Sequence, residues 1–368
     1  MCLVLTVDLA HVAFTRFTVP ADEGPADEGP ADEGPANEGP AGGWVSEERP
    51  IGFPATQLVP SWTARTPPGA WLEIALRART TSGDLTKWYV MGRWSEHGRP
   101  RTSVPGQGDE HGDVAVDTYV ARRPVTAYQV RVTRHGDGAR VTGLGVMASA
   151  LPRQPPAPSA PGSGDAVELA VPPRSQHAHA GHHVRYDGGG VNWCSPASVA
   201  MVLAYWGRGP APGELAWVGD GDPAPAVDHA AAGTYDESYQ GTGNWPFNVA
   251  YAGRFGLAGF VTRLRSAAEL EQFVRAGIPV ITSQSFKVHE LPGSCYSTSG
   301  HILVVTGFTA GGDVVVNDPA APRDAEVRRV YPRAAFEHVW LRSSGSGGIA
   351  YVLHPPDVPL PPCTNGNW

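Results

Sequence analysis

Between residues 44 and 150, apolar and polar side chains alternate over short stretches. Leu72, Ile74, Leu76 and Ala78 alternate with Glu73, Ala75, Arg77 and Arg79, and Tyr128, Val130 and Val132 alternate with Gln129, Arg131 and Thr133. A period of two with one apolar face describes a half-buried strand. Trp88, Tyr89, Val90 and Met91 form another β-prone run, and the stretch from Val4 to Phe17 supplies a further strand. Clusters such as Gly83-Asp84 and Pro105-Gly106-Gln107-Gly108-Asp109 punctuate these runs, with no helical period between them. Short strands separated in this way predict an antiparallel β-sandwich-like domain over residues 1–150.

The pattern then breaks. Residues 152–164 read Pro-Arg-Gln-Pro-Pro-Ala-Pro-Ser-Ala-Pro-Gly-Ser-Gly, a stiff Pro-rich linker that puts the domain boundary within 151–169. From 170 to 368 the pattern is α+β. An apolar helix is expected after Cys194, with Ser195 as N-cap, Pro196 at the first helical position and Gly207 in the left-handed conformation that ends it. Asn244 caps a second helix, with Pro246 in its first turn and Gly256 past its end. Ser266-Ala267-Ala268-Glu269 is a capping box opening a third, closed by Gly277. Strand-like runs follow from Val280 to Ser285 and from His301 to Phe308. After a Gly311-Gly312 turn come runs from Asp313 to Asn317 and from Ile349 to Leu353.

Length and composition set bounds on this picture. The chain has 368 residues, 41% of them apolar, enough for two domains with real cores. The net charge of −8 disfavours nucleic acid as a partner. Most of that charge is local: residues 21–40 repeat Ala-Asp-Glu-Gly-Pro three times and then Ala-Asn-Glu-Gly-Pro. This run holds seven acids and no base, so setting it aside takes the chain from −8 to −1. Such a repeat cannot build a core and reads as a disordered loop or tether. Four widely spaced cysteines, Cys2, Cys194, Cys295 and Cys363, make neither a disulfide scaffold nor a zinc site, although Cys295 and Cys363 could pair. No apolar run reaches membrane-spanning length. The N-terminus lacks the basic region and cleavage site of a signal peptide, so the expectation is cytoplasmic by default, and secreted if the start is truncated. Oligomeric state leaves no trace in the sequence.

The candidate chemistry centres on Gly188-Gly189-Gly190-Val191-Asn192-Trp193-Cys194-Ser195-Pro196. A thiol at a helix N-terminus meets unpaired N–H groups and the positive end of the dipole, which favour a thiolate nucleophile. Taken alone, a cysteine before an apolar helix is more commonly a packed core residue. Downstream, His301 opens an apolar strand and Asp318 ends the strand expected to pair with it, in Asn317-Asp318-Pro319. A tight turn between the two strands would bring His301 and Asp318 side by side, so that the carboxylate could fix the imidazole tautomer. The bland readings are a surface histidine at a strand end and ordinary Asn-Asp-Pro turn chemistry. Asn317 could orient the ring instead, though its side chain should face the opposite way.

Together the Cys194 helix, Ser299-Gly300-His301 with its apolar strand, and Asn317-Asp318-Pro319 resemble the peptidase family that includes the bacteriocin-leader peptidases. The likeness is closer to its stand-alone bacterial members, which carry an N-terminal β domain. It spans roughly residues 170–356 by the order of elements. The resemblance implies a papain-like fold, cysteine-dependent hydrolysis of peptide or amide bonds in a peptide or protein substrate, and no cofactor. It also implies a triad of Cys194, His301 and Asp318. The family uses an upstream glutamine as oxyanion donor beside the nucleophile's own N–H. Gln176 is the best match. It lies eighteen residues before Cys194, a longer gap than in the leader peptidases, so His177 to Gly190 must loop out. Asn192 is a second candidate donor.

That loop carries His177, His179, His182 and His183. With only Asp187 nearby as an acidic ligand, it reads as a solvated loop rather than a metal site. Its glycines either let substrate backbone approach or are plain loop. Trp193, Trp206, Trp245 and Trp340 are candidates to line a cleft, though large aromatics more often fill cores. Three other functions remain compatible: a thiol acyltransferase or amidase on the same fold, a non-catalytic papain-like binding protein, and a carbohydrate-binding protein using the stretch from Trp88 to Trp94.

Overall fold

A computed structural model describes residues 11–20, 43–154, 156–162, 164–219, 221–342 and 346–368. The acidic repeat and the residues before 11 lie outside the described residues.

The first eight strands are β1 (His11–Phe17), β2 (Gly43–Val45), β3 (Arg49–Arg65), β4 (Trp71–Thr80), β5 (Tyr89–Trp94), β6 (Gly112–Ala115), β7 (Thr118–His135) and β8 (Arg140–Ala150). They pair antiparallel in the order β1-β8-β3-β7-β4-β5, with β2 and β6 also on β7. The alternating runs behave as their pattern predicts: Leu72, Ile74, Leu76, Ala78, Val130 and Val132 are fully buried. Instead of two separate sheets, all eight strands share one continuous hydrogen-bonded sheet. The cause is the length of β3 and β7. Residues 118–121 of β7 pair with β6, and residues 127–135 with β4. The β3–β7 register shifts at Pro50/Ala55 and again at Ala55/Gln57. Bulges let one strand carry pairing around a corner between two halves.

The remaining strands are β9 (Val167–Glu168), β10 (Ala258–Arg263), β11 (Val280–Phe286), β12 (Thr298–Phe308), β13 (Val314–Asn317), β14 (Arg328–Tyr331) and β15 (Ile349–His354). They form a second antiparallel sheet in the order β10-β15-β11-β12-β13-β14, with β9 beside β12. Its helices are α1 (Cys194–Tyr205), α2 (Pro212–Leu215), α3 (Pro225–Thr234), α4 (Trp245–Gly253), α5 (Ala267–Arg275) and α6 (Arg333–Leu341). Ile302, Val304 and Tyr351 share one core with Val199 and Val202 of α1. The alternate residues Leu303, Val305 and Val352 share another with Leu270 and Phe273 of α5 and Phe336 and Trp340 of α6. Both faces of the sheet are covered, which explains the unbroken apolar run in β12.

Local signals held with small shifts. Asn244 accepts from the Phe247 N–H at 3.1 Å, and Gly256 and Gly277 take positive φ beyond their helices. Ser266 accepts from the Glu269 N–H at 3.2 Å, but Glu269 reaches back to the Arg265 N–H instead of closing a box on Ser266. The N-cap of α1 is Trp193, not Ser195. Ser195 is the second helical residue and its hydroxyl faces Tyr351. Pro196 at the third position is still tolerated, because N–H groups of the first turn have no intrahelical partner. Gly207 closes α1 at φ +62° as expected.

The Pro-rich segment is docked. The Ser159 N–H and hydroxyl donate to Glu337 at 2.7 and 2.6 Å, and the Gly162 N–H to Glu271 at 3.0 Å. The two sheets meet through α4 and β10. Phe247 packs between Trp62 and Trp94 at 6.1 and 5.3 Å between ring centroids. The Val261 N–H donates to Ser61 Oγ at 2.9 Å. Buried Arg263 spans the boundary, reaching Ser149 Oγ at 3.1 Å and Gln57 Oε1 at 2.6 Å.

At Gly253 α4 packs tightly on β3: a Cβ there would stand 2.6 Å from Thr63 Cβ. Gly253→Ala gains about 1 kcal/mol of helix propensity but overpacks the contact at a cost of about 1–3 kcal/mol. Urea denaturation should show net destabilisation. A gain of about 1 kcal/mol would mean that the two layers are not in contact there.

Candidate active site

His301 and Asp318 come together as the strand pairing requires. Antiparallel β12 and β13 place Val304 opposite Asn317, so Asp318, one residue beyond Asn317, and His301, three before Val304, lie toward the same end of the paired strands. His301 Nε2 lies 2.8 Å from Asp318 Oδ1. The Ala320 N–H donates to the same oxygen at 3.0 Å, and the hydroxyls of Tyr296 and Tyr331 donate to Oδ2 at 2.9 and 2.6 Å. The carboxylate has no exposed surface. Burial alone would raise its pKa, but His301 and the two tyrosines overcome that and hold it at about 2. Burial likewise opposes charge on His301, and Asp318, aided by the Cys194 thiol in contact with the ring, brings it up to about 10. Burial and the adjacent carboxylate push both tyrosines well above their ordinary range, so they stay protonated donors.

Cys194 is the first residue of α1, half-buried, and shares a cleft of about 1150 Å³ with His301 and Gln176. With Nε2 committed to Asp318, Nδ1 is the imidazole atom left for the thiol. The N-terminal sheet supplies the opposite wall from the tip of the β6–β7 hairpin, where Val116 adopts φ +59° and the Asp117 N–H turns back to Ala115 O at 2.7 Å. Asp117 also accepts from the Trp245 N–H at 3.0 Å, fixing the hairpin against the start of α4.

Gln176 is buried and sits in a short 3₁₀ turn, residues 176–179. Its backbone N–H donates to Pro319 O at 2.9 Å, tying the turn to the residue after Asp318. Its side-chain Nε2 donates to Val191 O at 2.5 Å, and an amide nitrogen carries a second N–H. Asn192 also lines the cleft, but its side-chain amide donates to Asp187 O at 3.0 Å. Asn317 donates to Val171 O at 2.9 Å, away from His301.

The stretch from His177 to Gly190 does loop out, yet it is not the solvated loop expected. His179 is buried, with Nδ1 2.7 Å from Asp228 Oδ2. Its acidic partners, Asp222 and Asp228, arrive from a distant segment, out of reach of any local spacing argument. The glycines serve this loop's own closure: a Cβ on Gly190 would meet His179 and Gln176 backbone at 2.3–2.4 Å. Of the four tryptophans only Trp245 lines the cleft. Trp193 and Trp340 are fully buried, and Trp206 donates its indole N–H to Leu353 O at 3.1 Å. Cys194, Cys295 and Cys363 are free thiols, so Cys295 and Cys363 are not paired.

Two contributors escaped the sequence reading. Tyr331 looks like an ordinary strand residue and reaches Asp318 only because β14 lies beside β13. Tyr296 precedes His301 in an irregular segment and stands edge-on to its ring, 5.5 Å between centroids.

Comparison with known proteins adds two family matches. The model for the Peptidase C39 N-terminal domain matches residues 13–149, and that for the Peptidase_C39 like family matches residues 168–347. A crystal structure of a candidate C39-like peptidase from Bacillus anthracis aligns at 20% identity and a TM-score of 0.33, covering 51% of this chain and 97% of that one. None of the curated proteins matches the chain. No helix among the described residues is long and apolar enough to cross a membrane.

The paired shifts fix the pH behaviour. His301 is raised, so its contribution to stability is complete below its ordinary value of about 6.5. It fades as the pH climbs through about 10. Asp318 is depressed, so its contribution is complete above an ordinary value of about 3.9. It fades as the pH falls toward about 2. In Asp318→Asn made on a Cys194→Ala background, burial acts on His301 without a counter-ion, and NMR should find the ring titrating below about 6.5. A ring still charged at pH 8 in that variant would contradict the assignment.

Proposed function

Because this chain belongs to the C39-like peptidase family, we propose that it is a thiol-dependent hydrolase that cleaves peptide or amide bonds through Cys194, His301 and Asp318. The observation that carries this reading is the meeting, in one cleft, of a helix-head thiol with a buried imidazole already held by a carboxylate. We take the C-terminal part, residues 170–368, as the papain-like α+β domain and residues 1–150 as a sandwich-like domain, joined by 151–169.

In this mechanism the Cys194 sulfur attacks the substrate carbonyl as thiolate, paired with the His301 imidazolium. The tetrahedral oxyanion meets the Cys194 backbone N–H, one of the donors that a helix start leaves unpaired, and the free N–H of Gln176. His301 gives its proton to the departing amine as the C–N bond breaks, leaving a thioester. The neutral ring then takes a proton from water, whose oxygen attacks the thioester carbonyl. Collapse of that second intermediate breaks the C–S bond, releasing the carboxylic acid and restoring the thiolate–imidazolium pair. Asp318 holds the ring at Nε2 throughout and does not itself accept the proton. No step calls for a cofactor. The position of the cleft between the sheets supports a peptide or protein substrate, with the hairpin carrying Val116 as one wall.

Cys194→Ala should reduce hydrolysis of a susceptible peptide by on the order of 10⁴–10⁶-fold with an unchanged circular dichroism spectrum. A rate within tenfold of the parent would refute the assignment. An added amine that diverts the acyl group to a new product faster than water does would point to acyl transfer on the same thioester.

A further inference from the structure

We propose that His179, His182, Asp222 and Asp228 form a four-ligand site for a divalent transition-metal ion of the zinc type, which pins the loop preceding the nucleophile to α3. One ligand atom from each residue falls within a set whose members all lie within 4.8 Å of one another. His179 Nδ1 is 2.7 Å from Asp228 Oδ2 and 3.6 Å from Asp222 Oδ2. His182 Nδ1 is 3.0 Å from Asp222 Oδ2 and 3.3 Å from Asp228 Oδ1. Bonds of about 2.0–2.1 Å from a tetrahedral zinc to nitrogen or oxygen imply ligand–ligand edges of about 3.3 Å. The observed separations straddle that value.

An ion-pair network without metal is the competing account, and the buried atoms argue against it. His179 Nδ1, Asp222 Oδ2 and both Asp228 carboxylate oxygens are buried without a hydrogen bond of acceptable geometry, despite their closeness. Buried polar atoms are almost always satisfied, so four orphans converging on one point call for a shared partner. A cation at that point is such a partner. Two imidazoles and two carboxylates suit zinc, and four protein ligands make a closed, structural site. The supporting contacts are also present. The Ala224 N–H donates to Asp222 Oδ1 at 2.8 Å, leaving Oδ2 to face the histidines. His182 is partly exposed beside a surface hollow lined by His183, Gly221 and Pro223, which gives the ion a way in.

The site lies between two functional candidates. His179 closes the turn that begins at Gln176, and its ring lies 6.2 Å from that of Trp193, the residue before Cys194. A metal bond to Asp228 in α3 would fix the first part of the loop, next to the Gln176 turn, relative to the α-helical layer.

The test uses the full chain carrying Cys194→Ala, so that the nucleophile cannot ligate and the result does not depend on the peptidase reading. Chelator-treated protein is dialysed against zinc, and separately against cobalt, and its metal content is measured. The expected result is one equivalent of zinc, a melting temperature about 5 °C higher than that of the stripped protein, and the intense visible bands of tetrahedral cobalt. Adding His182→Ala, a change at a partly exposed side chain, or Asp222→Asn should abolish all three while circular dichroism stays unchanged. Retention of less than a tenth of an equivalent, or equal retention in the ligand variants, would overturn the proposal.

Discussion

The Asp318 carboxylate is the constraint on which the rest of this structure depends. It sits where β13 ends, without exposed surface, and a lone buried charge of that kind would cost several kcal/mol. Its four donors come from four places: His301 in β12, Tyr296 before that strand, Tyr331 in β14, and the Ala320 N–H of the following turn. All must be in place before the charge is tolerated, so closing this part of the sheet and assembling the candidate site are one event. The Gln176 turn is tied in through Pro319 O, which places the oxyanion candidate relative to the same carboxylate.

The cleft is a property of both sheets. Its floor belongs to the C-terminal sheet and its far wall to the β6–β7 hairpin, held there by Asp117 on the α4 backbone. Phe247, packed against Trp62 and Trp94, joins α4 to the first sheet. A second sheet so placed shapes what can enter without touching the reacting atoms.

Much of this was legible in sequence where the signal is local. Alternation marked β4 and β7, Asn244 and Gly256 marked the ends of α4, and the hairpin logic of β12 and β13 put His301 beside Asp318. What failed was whatever depends on long-range register. Tyr331 reaches Asp318 from a neighbouring strand whose first two residues are Arg328 and Arg329, a poor strand signal. Asp222 and Asp228 meet His179 across two intervening helices, α1 and α2, and their loops, so local spacing marks the histidine loop as solvated. Bulges in β3 have no sequence mark strong enough to tell one bent sheet from two flat ones. Ser195 is of a residue type preferred at a cap, whereas the chain enters α1 two residues earlier, through Trp193.

The central claim is that Cys194 and His301 form an ionised pair sustained by Asp318. Its most direct test is the pH dependence of Cys194 alkylation by iodoacetamide, followed by peptide mapping, in the parent protein and in His301→Ala. The account predicts fast labelling near pH 6 in the parent, collapsing in the variant. Slow labelling in both, rising together only near the free-thiol value of about 8.5, would contradict it.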